Sequence, residues 1–298
     1  MNSNQNIKHQ IKMDSLKLDS DFGLHSMHDG LAVNIDVEIK GFEPFSKYFR
    51  SDFFQIMLFE SGETDLSLNL VDYKISKNDL IVCAPFDLKK VNSFNNSKHS
   101  TILFTSDFLE KAGLSKTAPE ITHFFTNQYS PRWKLDAHAA KKINSLINEL
   151  GERHNNIFSN KYGKELLYLS FNIFLYELAL IGNKYAQTAK HISRKENLVI
   201  NFTSLVKIHF KKERSLSFYA SLLNITSKYL TTAVKEITGK SAGKIVDGFV
   251  VQEARMLLEN PDLTVSQISE ELNFSDQSFF GKFFKRNTGF SPSEYRRI

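Results

Sequence analysis

Two stretches of this chain repeat one another about fifty residues apart, and a duplicated unit of that size narrows the fold more than any other feature. Ser217–Thr226 aligns with Ser266–Ser275 at an offset of 49, and Tyr229, Leu230, Lys235, Thr238 and Gly239 align with Phe279, Phe280, Lys285, Thr288 and Gly289 at an offset of 50. One residue is therefore inserted in the turn of the second copy. Recurrence at this spacing marks a duplicated supersecondary unit. Each copy reads as a short helix, a tight turn and a longer helix, the helix-turn-helix plan.

The second copy carries the clearer local signals. Thr264 and Gln267 form a capping box ahead of a first helix whose buried stripe is Ile268 and Leu272. Asn273-Phe274-Ser275 is the turn, and Ser275 or Asp276 caps the second helix. There Phe279, Phe280, Phe283 and Phe284 share one side by i, i+3, i+4 spacing and are expected in the core. Gln277, Gly281 and Lys285 fall on another side, with Ser278 and Lys282 beside them. Gly289 suits the left-handed position that ends a helix. Ser291–Glu294 is a further capping box with Pro292 at its first helical position. In the first copy Thr226 caps, Tyr229, Leu230, Ala233, Val234 and Ile237 are expected inward, and Lys228, Thr231, Thr232 and Lys235 outward. Ile245, Val246, Phe249, Val250, Leu257 and Leu258 mark a connecting helix that Asn260-Pro261 stops.

The outward faces are unlike an ordinary solvated helix, which favours Glu and Lys in i, i+4 pairs. No acid occupies their central positions. Gly281 inside a helix costs roughly 1 kcal/mol against Ala, which close approach of a DNA backbone or another helix would explain. Gln matches adenine, Lys matches guanine or phosphate, and Ser or Thr suits several base edges. The charge distribution agrees. Ser193–Ile298 holds 16 Lys and Arg against 11 Asp and Glu, a surplus equal to the +5 of the whole chain, so the first two thirds are neutral. A basic surplus concentrated on such helices points to nucleic acid.

The first two thirds read differently. A length of 298 residues favours two domains. The first thirty residues read as a loosely ordered arm or a peripheral strand. From Leu31, Val33, Ile35, Val37 and Ile39 alternate with polar residues as a half-buried strand. Phe53–Phe59 is a denser apolar run, Ser61-Gly62-Glu63 marks a turn, and Leu66, Leu68 and Leu70 alternate again. Leu80–Cys83, closed by Pro85, and Thr101–Phe104 are further short runs. Short strands joined by small turns argue for an antiparallel barrel or sandwich. After about Asp136 the period becomes helical, through Ile143, Leu146, Ile147 and Leu150 and then Leu166, Leu167, Phe171, Phe174, Leu175 and Leu178. Gly182–Lys195 is polar and aperiodic, the best linker candidate. Leu166–Ile181 carries Ser170, Asn172 and Glu177 and reads as a buried or interface helix rather than a bilayer span.

At the second copy the chain resembles the AraC/XylS family of bacterial transcription regulators. The likeness rests on Phe274-Ser-Asp-Gln-Ser-Phe-Phe280 and Phe284-Lys-Arg-Asn-Thr-Gly-Phe-Ser-Pro-Ser-Glu-Tyr-Arg296 and covers about Ser193–Ile298. Upstream, the layout and the run Ile75–Pro85 are similar to that family's cupin-like regulatory domain with its dimerising helices. The resemblance implies an α+β chain: a cupin-like antiparallel barrel with a helix pair (1–185), a linker (186–196) and an all-α tandem helix-turn-helix domain (197–298). It implies a cytoplasmic one-component regulator without cofactor or metal. Its partners would be double-stranded promoter DNA, a small-molecule effector, RNA polymerase if it activates, and a second copy of the chain, with no membrane.

Carried over by residue, the reading positions are Lys228, Thr231 and Thr232 in the first unit and Gln277, Ser278, Gly281 and Lys282 in the second. Lys235 shares the first outward face, and Lys285 and Arg286 hold phosphates. The Thr-rich first face implies weaker base reading than the second. Two positions depart from the family pattern, Ser269 where Ala is usual and Phe249-Val250 where an Arg is usual. An alternative is a regulator without a small ligand, governed by protein contact or dimerisation. A cupin-type enzyme fused to a DNA-binding domain is disfavoured. The strand ending at Pro85 has no His-x-His pair, His25 and His28 sit in a polar arm, and Cys83 reads as a buried, inert thiol.

Overall fold

The structure is a computed structural model that describes residues 10–11, 28–38, 47–113, 130–188 and 193–297. By internal contacts the chain divides into two compact units, Gln10–Leu68 with Asp72–His191 and, separately, Ile192–Ile298 together with Met1–His9 and Asn69–Val71. The arm expected over the first thirty residues lies largely outside the described residues, as does His25. Within them, β1 (Gln10–Ile11) pairs in parallel with β3 (Arg50–Ser51), and the His28 ring lies 4.9 Å from that of His154.

The first unit is built on an antiparallel sheet of β2 (Leu31–Glu38), β4 (Phe54–Leu68), β5 (Val71–Ser76), β6 (Asp79–Cys83), β7 (Lys89–Phe104) and β8 (Arg132–Lys134). The strand order is β2-β7-β4-β6-β8, with β5 paired to β4. The dense Phe53–Phe59 run is explained by burial on both faces. Phe54, Ile56 and Leu58 join the core that the helices cover, while Met57 and Phe59 join a second cluster with Leu66, Leu68, Ile75, Ile81 and Cys83. The Cys83 thiol is buried there.

Two strands are longer than the sequence suggests. Ser61-Gly62-Glu63 does not turn the chain, because β4 runs on for 15 residues against 16 of β7. The register shifts around Ser61 instead, and Gly62 sits at φ +75° with its α-carbon against the Asn95–Asn96 backbone, where a Cβ would collide. This is a bulge that needs glycine. At the far side of the sheet, buried Asp79 accepts bonds from the Ser76 N–H (2.7 Å) and from Arg132 Nε (3.0 Å) and Nη2 (3.1 Å), tying the β5–β6 turn to β8.

Helix α1 (Ser106–Lys111) follows β7, and α2 (Ala137–Asn155) and α3 (Gly163–Thr188) pack as a pair. Asp136 caps α2 through the Ala139 N–H at 2.8 Å. Ile143, Ile147 and Leu150 of α2 and Leu167, Phe171, Phe174, Leu175 and Leu178 of α3 close over the sheet. The opposite side of α3 leaves Leu169, Ile173, Tyr176 and Leu180 exposed. By length and composition alone, Gly163–Gly182 is the one helix among the described residues that could cross a bilayer, and its inner face lies in this core. The polar stretch expected as linker is helical at both ends: α3 continues to Thr188, and α4 begins at Arg194 behind a Ser193–Glu196 capping box.

The second unit is all-helical: α4 (Arg194–His209), α5 (Leu216–Leu222), α6 (Ser227–Thr238), α7 (Ala242–Leu258), α8 (Val265–Glu271), α9 (Gln277–Thr288) and α10 (Pro292–Tyr295). Its capping boxes stand where the sequence places them, at Thr264–Gln267 and Ser291–Glu294.

Candidate nucleic-acid interface

The repeat becomes two superposable turns. Asn224 and Asn273, aligned in the repeat, both take the left-handed conformation at φ 53° and 55°, which Asn tolerates better than most residues. The Ile225 N–H bonds to the Ala220 carbonyl at 3.0 Å, and the Phe274 N–H bonds to the Ser269 carbonyl at 2.9 Å. Each turn thus closes the short helix and launches the long one. Thr226 caps α6 through the Tyr229 N–H at 3.2 Å, and Asp276, not Ser275, caps α9 through the Phe279 N–H at 2.7 Å. Gly239 and Gly289 end these helices at φ +69° and +85°.

The inner faces anchor α6 and α9. Leu230, Ala233 and Val234 are buried on α6, and Phe280, Phe283 and Phe284 on α9. Three residues expected inward are exposed instead: Tyr229, Ile237 and, most of all, Phe279 at 61%. The apolar stripe is narrower than its spacing suggests, because the neighbouring helices reach only part of it. Phe274 covers Phe280 and Phe283, and Tyr295 covers Phe284. Arg214 braces the second turn, with its guanidinium 3.7 Å from the Phe274 ring centre and a bond to the Leu272 carbonyl.

The predicted reading residues stand together on the outer faces. On α6, Lys228, Thr232 and Lys235 are exposed and Thr231 is half-buried. Thr231 and Thr232 donate their hydroxyls to the Ser227 and Lys228 carbonyls at 2.9 and 3.0 Å, which leaves oxygen lone pairs and methyl groups facing out. On α9, Gln277, Ser278, Lys282 and Lys285 are exposed, and a Cβ built on Gly281 meets no atom within 4 Å. No other helix among the described residues therefore explains this glycine. Lys228 and Lys282 enter no ion pair among the described residues. Arg286 does have a partner, Asp247 at 4.0 Å, although its side chain is 71% exposed. Burial raises the Asp247 carboxyl above its usual range, against the pull of Arg286 and Arg214. Sequence reasoning missed Phe279 as an outward residue. Nothing in the sequence marked it, because the aligned Tyr229 was also expected inward, and both rings, at the third position of their helices, are exposed.

Comparison with known proteins finds a helix-turn-helix domain in the same part of the chain. A family model described as a helix-turn-helix domain matches residues 219–298. The HTH-type transcriptional activator RhaS of Escherichia fergusonii is 24% identical over 279 residues, covering 92% of this chain and 96% of RhaS. The HTH-type transcriptional activator RhaR of Salmonella schwarzengrund is 22% identical over 247 residues, covering 83% of this chain and 86% of RhaR. Among solved structures, the C-terminal domain of AraT from Geobacillus stearothermophilus aligns with 35% of this chain and 88% of its own at 28% identity and a TM-score of 0.33. The likeness to RhaS runs through the helix-turn-helix units and on into the strand-rich half, so the chain is similar along most of its length to HTH-type transcriptional activators and is a helix-turn-helix DNA-binding transcription regulator of the AraC/XylS type.

Proposed function

We propose that α6 and α9 read double-stranded promoter DNA through Lys228, Thr231, Thr232 and Lys235 and through Gln277, Ser278, Gly281 and Lys282, with Lys285 and Arg286 on phosphates. The observation that carries this reading is the pairing of exposed Lys282, which enters no ion pair among the described residues, with an open helical glycine on the same face. Two such helices about one DNA turn apart, roughly 34 Å, suit successive major grooves. The lysines supply salt-dependent affinity and the polar groups supply sequence choice. Selection of an operator from random duplexes, followed by titration of single alanine variants at several salt concentrations, tests the assignment. Gln277→Ala is expected to relax sequence choice, and Lys285→Ala to lower the salt slope by about one. Equal affinity of wild type for all duplexes would reject it.

The rest of the reading follows the domain plan 1–185, 186–196 and 197–298. The strand-rich unit, cupin-like in layout, sets the regulator's state by binding a small effector in the cytoplasm, without turnover. The exposed Leu169, Ile173, Tyr176 and Leu180 of α3 join two copies. RhaS and RhaR are named activators, and contact with RNA polymerase is the corresponding role here. A metabolite panel read by melting temperature tests the effector. If no compound shifts the melt while Ile173→Glu abolishes both dimer and regulation, control rests on dimerisation alone.

A further inference from the structure

Phe279 has no part in the proposed base and phosphate contacts. Its neighbours Phe280, Phe283 and Phe284 are buried, and tilted ring contacts link Phe274 to Phe280, Phe274 to Phe283, and Phe280 to Phe284. Phe279 shares in no ring contact among the described residues and stays 61% exposed. A ring of this size left in water forfeits about 1.5–3 kcal/mol of burial, so its place demands a reason.

That place is the first turn of α9, between exposed Ser278 and the core, one helical turn below Lys282. In a groove-bound helix the N-terminal residues are those that reach base edges. A phenyl ring offers neither donor nor acceptor, and the apolar feature of the major-groove edges is the thymine 5-methyl group. The aligned position of α6 holds another exposed ring, Tyr229 at 37%. The outward aromatic thus recurs in both units although the flanking reading residues differ.

We infer that Phe279 is a specificity-determining residue of the second reading unit, packing its ring against the 5-methyl group of a thymine in the operator. The inference rests on the assignment of α9 to the major groove. Where Gln277 and Lys282 recognise hydrogen-bonding edges, Phe279 recognises a methyl group.

The test uses the full chain and an operator selected from random duplexes, with each thymine under the second unit replaced in turn by deoxyuridine, which lacks only the methyl. Binding is read by fluorescence anisotropy. At one thymine the wild type is expected to lose about fourfold in affinity, equivalent to about 0.8 kcal/mol for one methyl-sized group. Phe279→Ala, whose melting temperature should match wild type because the ring is exposed, is expected to bind both duplexes equally. Phe279→Leu, which keeps an apolar contact, should retain part of the discrimination and serves if the alanine variant binds too weakly to measure. The proposal is overturned if no thymine is sensitive in wild type, or if the sensitivity persists unchanged in both variants. It is also overturned if Phe279→Ala keeps full affinity and sensitivity but loses activation, which would place the ring against a protein. Failure of the groove assignment looks different: Gln277→Ala and Lys282→Ala would then leave operator affinity untouched.

Discussion

The two reading units share one scaffold and present different chemistry. α6 and α9 are each capped by a side chain at the N-terminus, end at a left-handed glycine and bury the same three positions, yet those positions hold Leu230, Ala233 and Val234 in one and Phe280, Phe283 and Phe284 in the other. Outward, Thr231 and Thr232 donate their hydroxyl protons to their own helix, while Gly281 leaves an open notch beside the exposed Lys282. Duplication preserves what the turn and the core require. It leaves the solvent face free to diverge, so the face is where the two units must earn separate roles.

The core difference should give the largest effect. Phe284 is fully buried, in tilted contact with Phe280 and edge-on contact with Tyr295, and its aligned partner is Val234. Phe284→Ala is expected to cost about 3–5 kcal/mol of stability. Val234→Ala removes two methyl-sized groups and should cost about 2 kcal/mol. Urea denaturation of both variants measures the gap. Equal losses would mean that the two inner faces are energetically alike despite their composition.

The faces should differ in DNA affinity. Lys282→Ala is expected to weaken operator binding about tenfold, within the range for one good base contact, and Thr232→Ala, at the aligned position, about twofold. Anisotropy titrations at fixed salt compare them. A larger loss for Thr232→Ala, or for Lys228→Ala than for Gln277→Ala, would reverse the ranking of the two units.

What the sequence disclosed was local chemistry. Capping boxes at Thr264 and Ser291, the helix-ending Gly289 and the repeat itself are set by residues within a turn or two of each other, and the structure has them in place. Contacts made at a distance were not legible. Ser61-Gly62-Glu63 looks like a turn until Asn95 and Asn96 arrive from β7 and make it a bulge. Phe279 belongs to the stripe by spacing, but the width of a buried stripe is decided by the helices that cover it. Gly182–Thr188 has no apolar period, and still it extends α3, because a helix already nucleated propagates through polar residues at little cost. For the same reason the outward faces were legible as candidates, being polar and acid-free, while the burial of Thr231 and the engagement of Arg286 with Asp247 were not.

Ser269 and Ala220 offer a smaller test, one inside the first helices of the two units. They are aligned in the repeat, and both are 2% exposed, but the Ser269 hydroxyl has no hydrogen-bond partner. A buried, unpartnered hydroxyl is a net loss, and Ala is also the better helix former. Ser269→Ala should therefore raise stability by about 1 kcal/mol without changing affinity for DNA, as read by a thermal melt and an anisotropy titration. The reverse change, Ala220→Ser, should lower it by a similar amount. A loss of stability in Ser269→Ala would show that the second unit depends on this hydroxyl in a way the first does not.

The smallest effect separates protein from DNA most cleanly. Gly281 aligns with Thr231, has room for a Cβ and sits in a right-handed helix. Gly281→Ala should therefore stabilise the free protein by about 0.5–1 kcal/mol, since nothing in the fold asks for glycine there. If the α9 backbone lies against DNA, the same variant should bind operator several-fold more weakly although it is the more stable protein. Thr231→Ala removes a side chain instead of adding one, so any affinity it loses reflects a lost contact and not crowding against DNA. A melting curve and a binding curve on each variant suffice. Stability and affinity that rise together in Gly281→Ala would remove the notch as a distinction between the units. Opposite signs would locate the closest approach of protein backbone to DNA at the second unit.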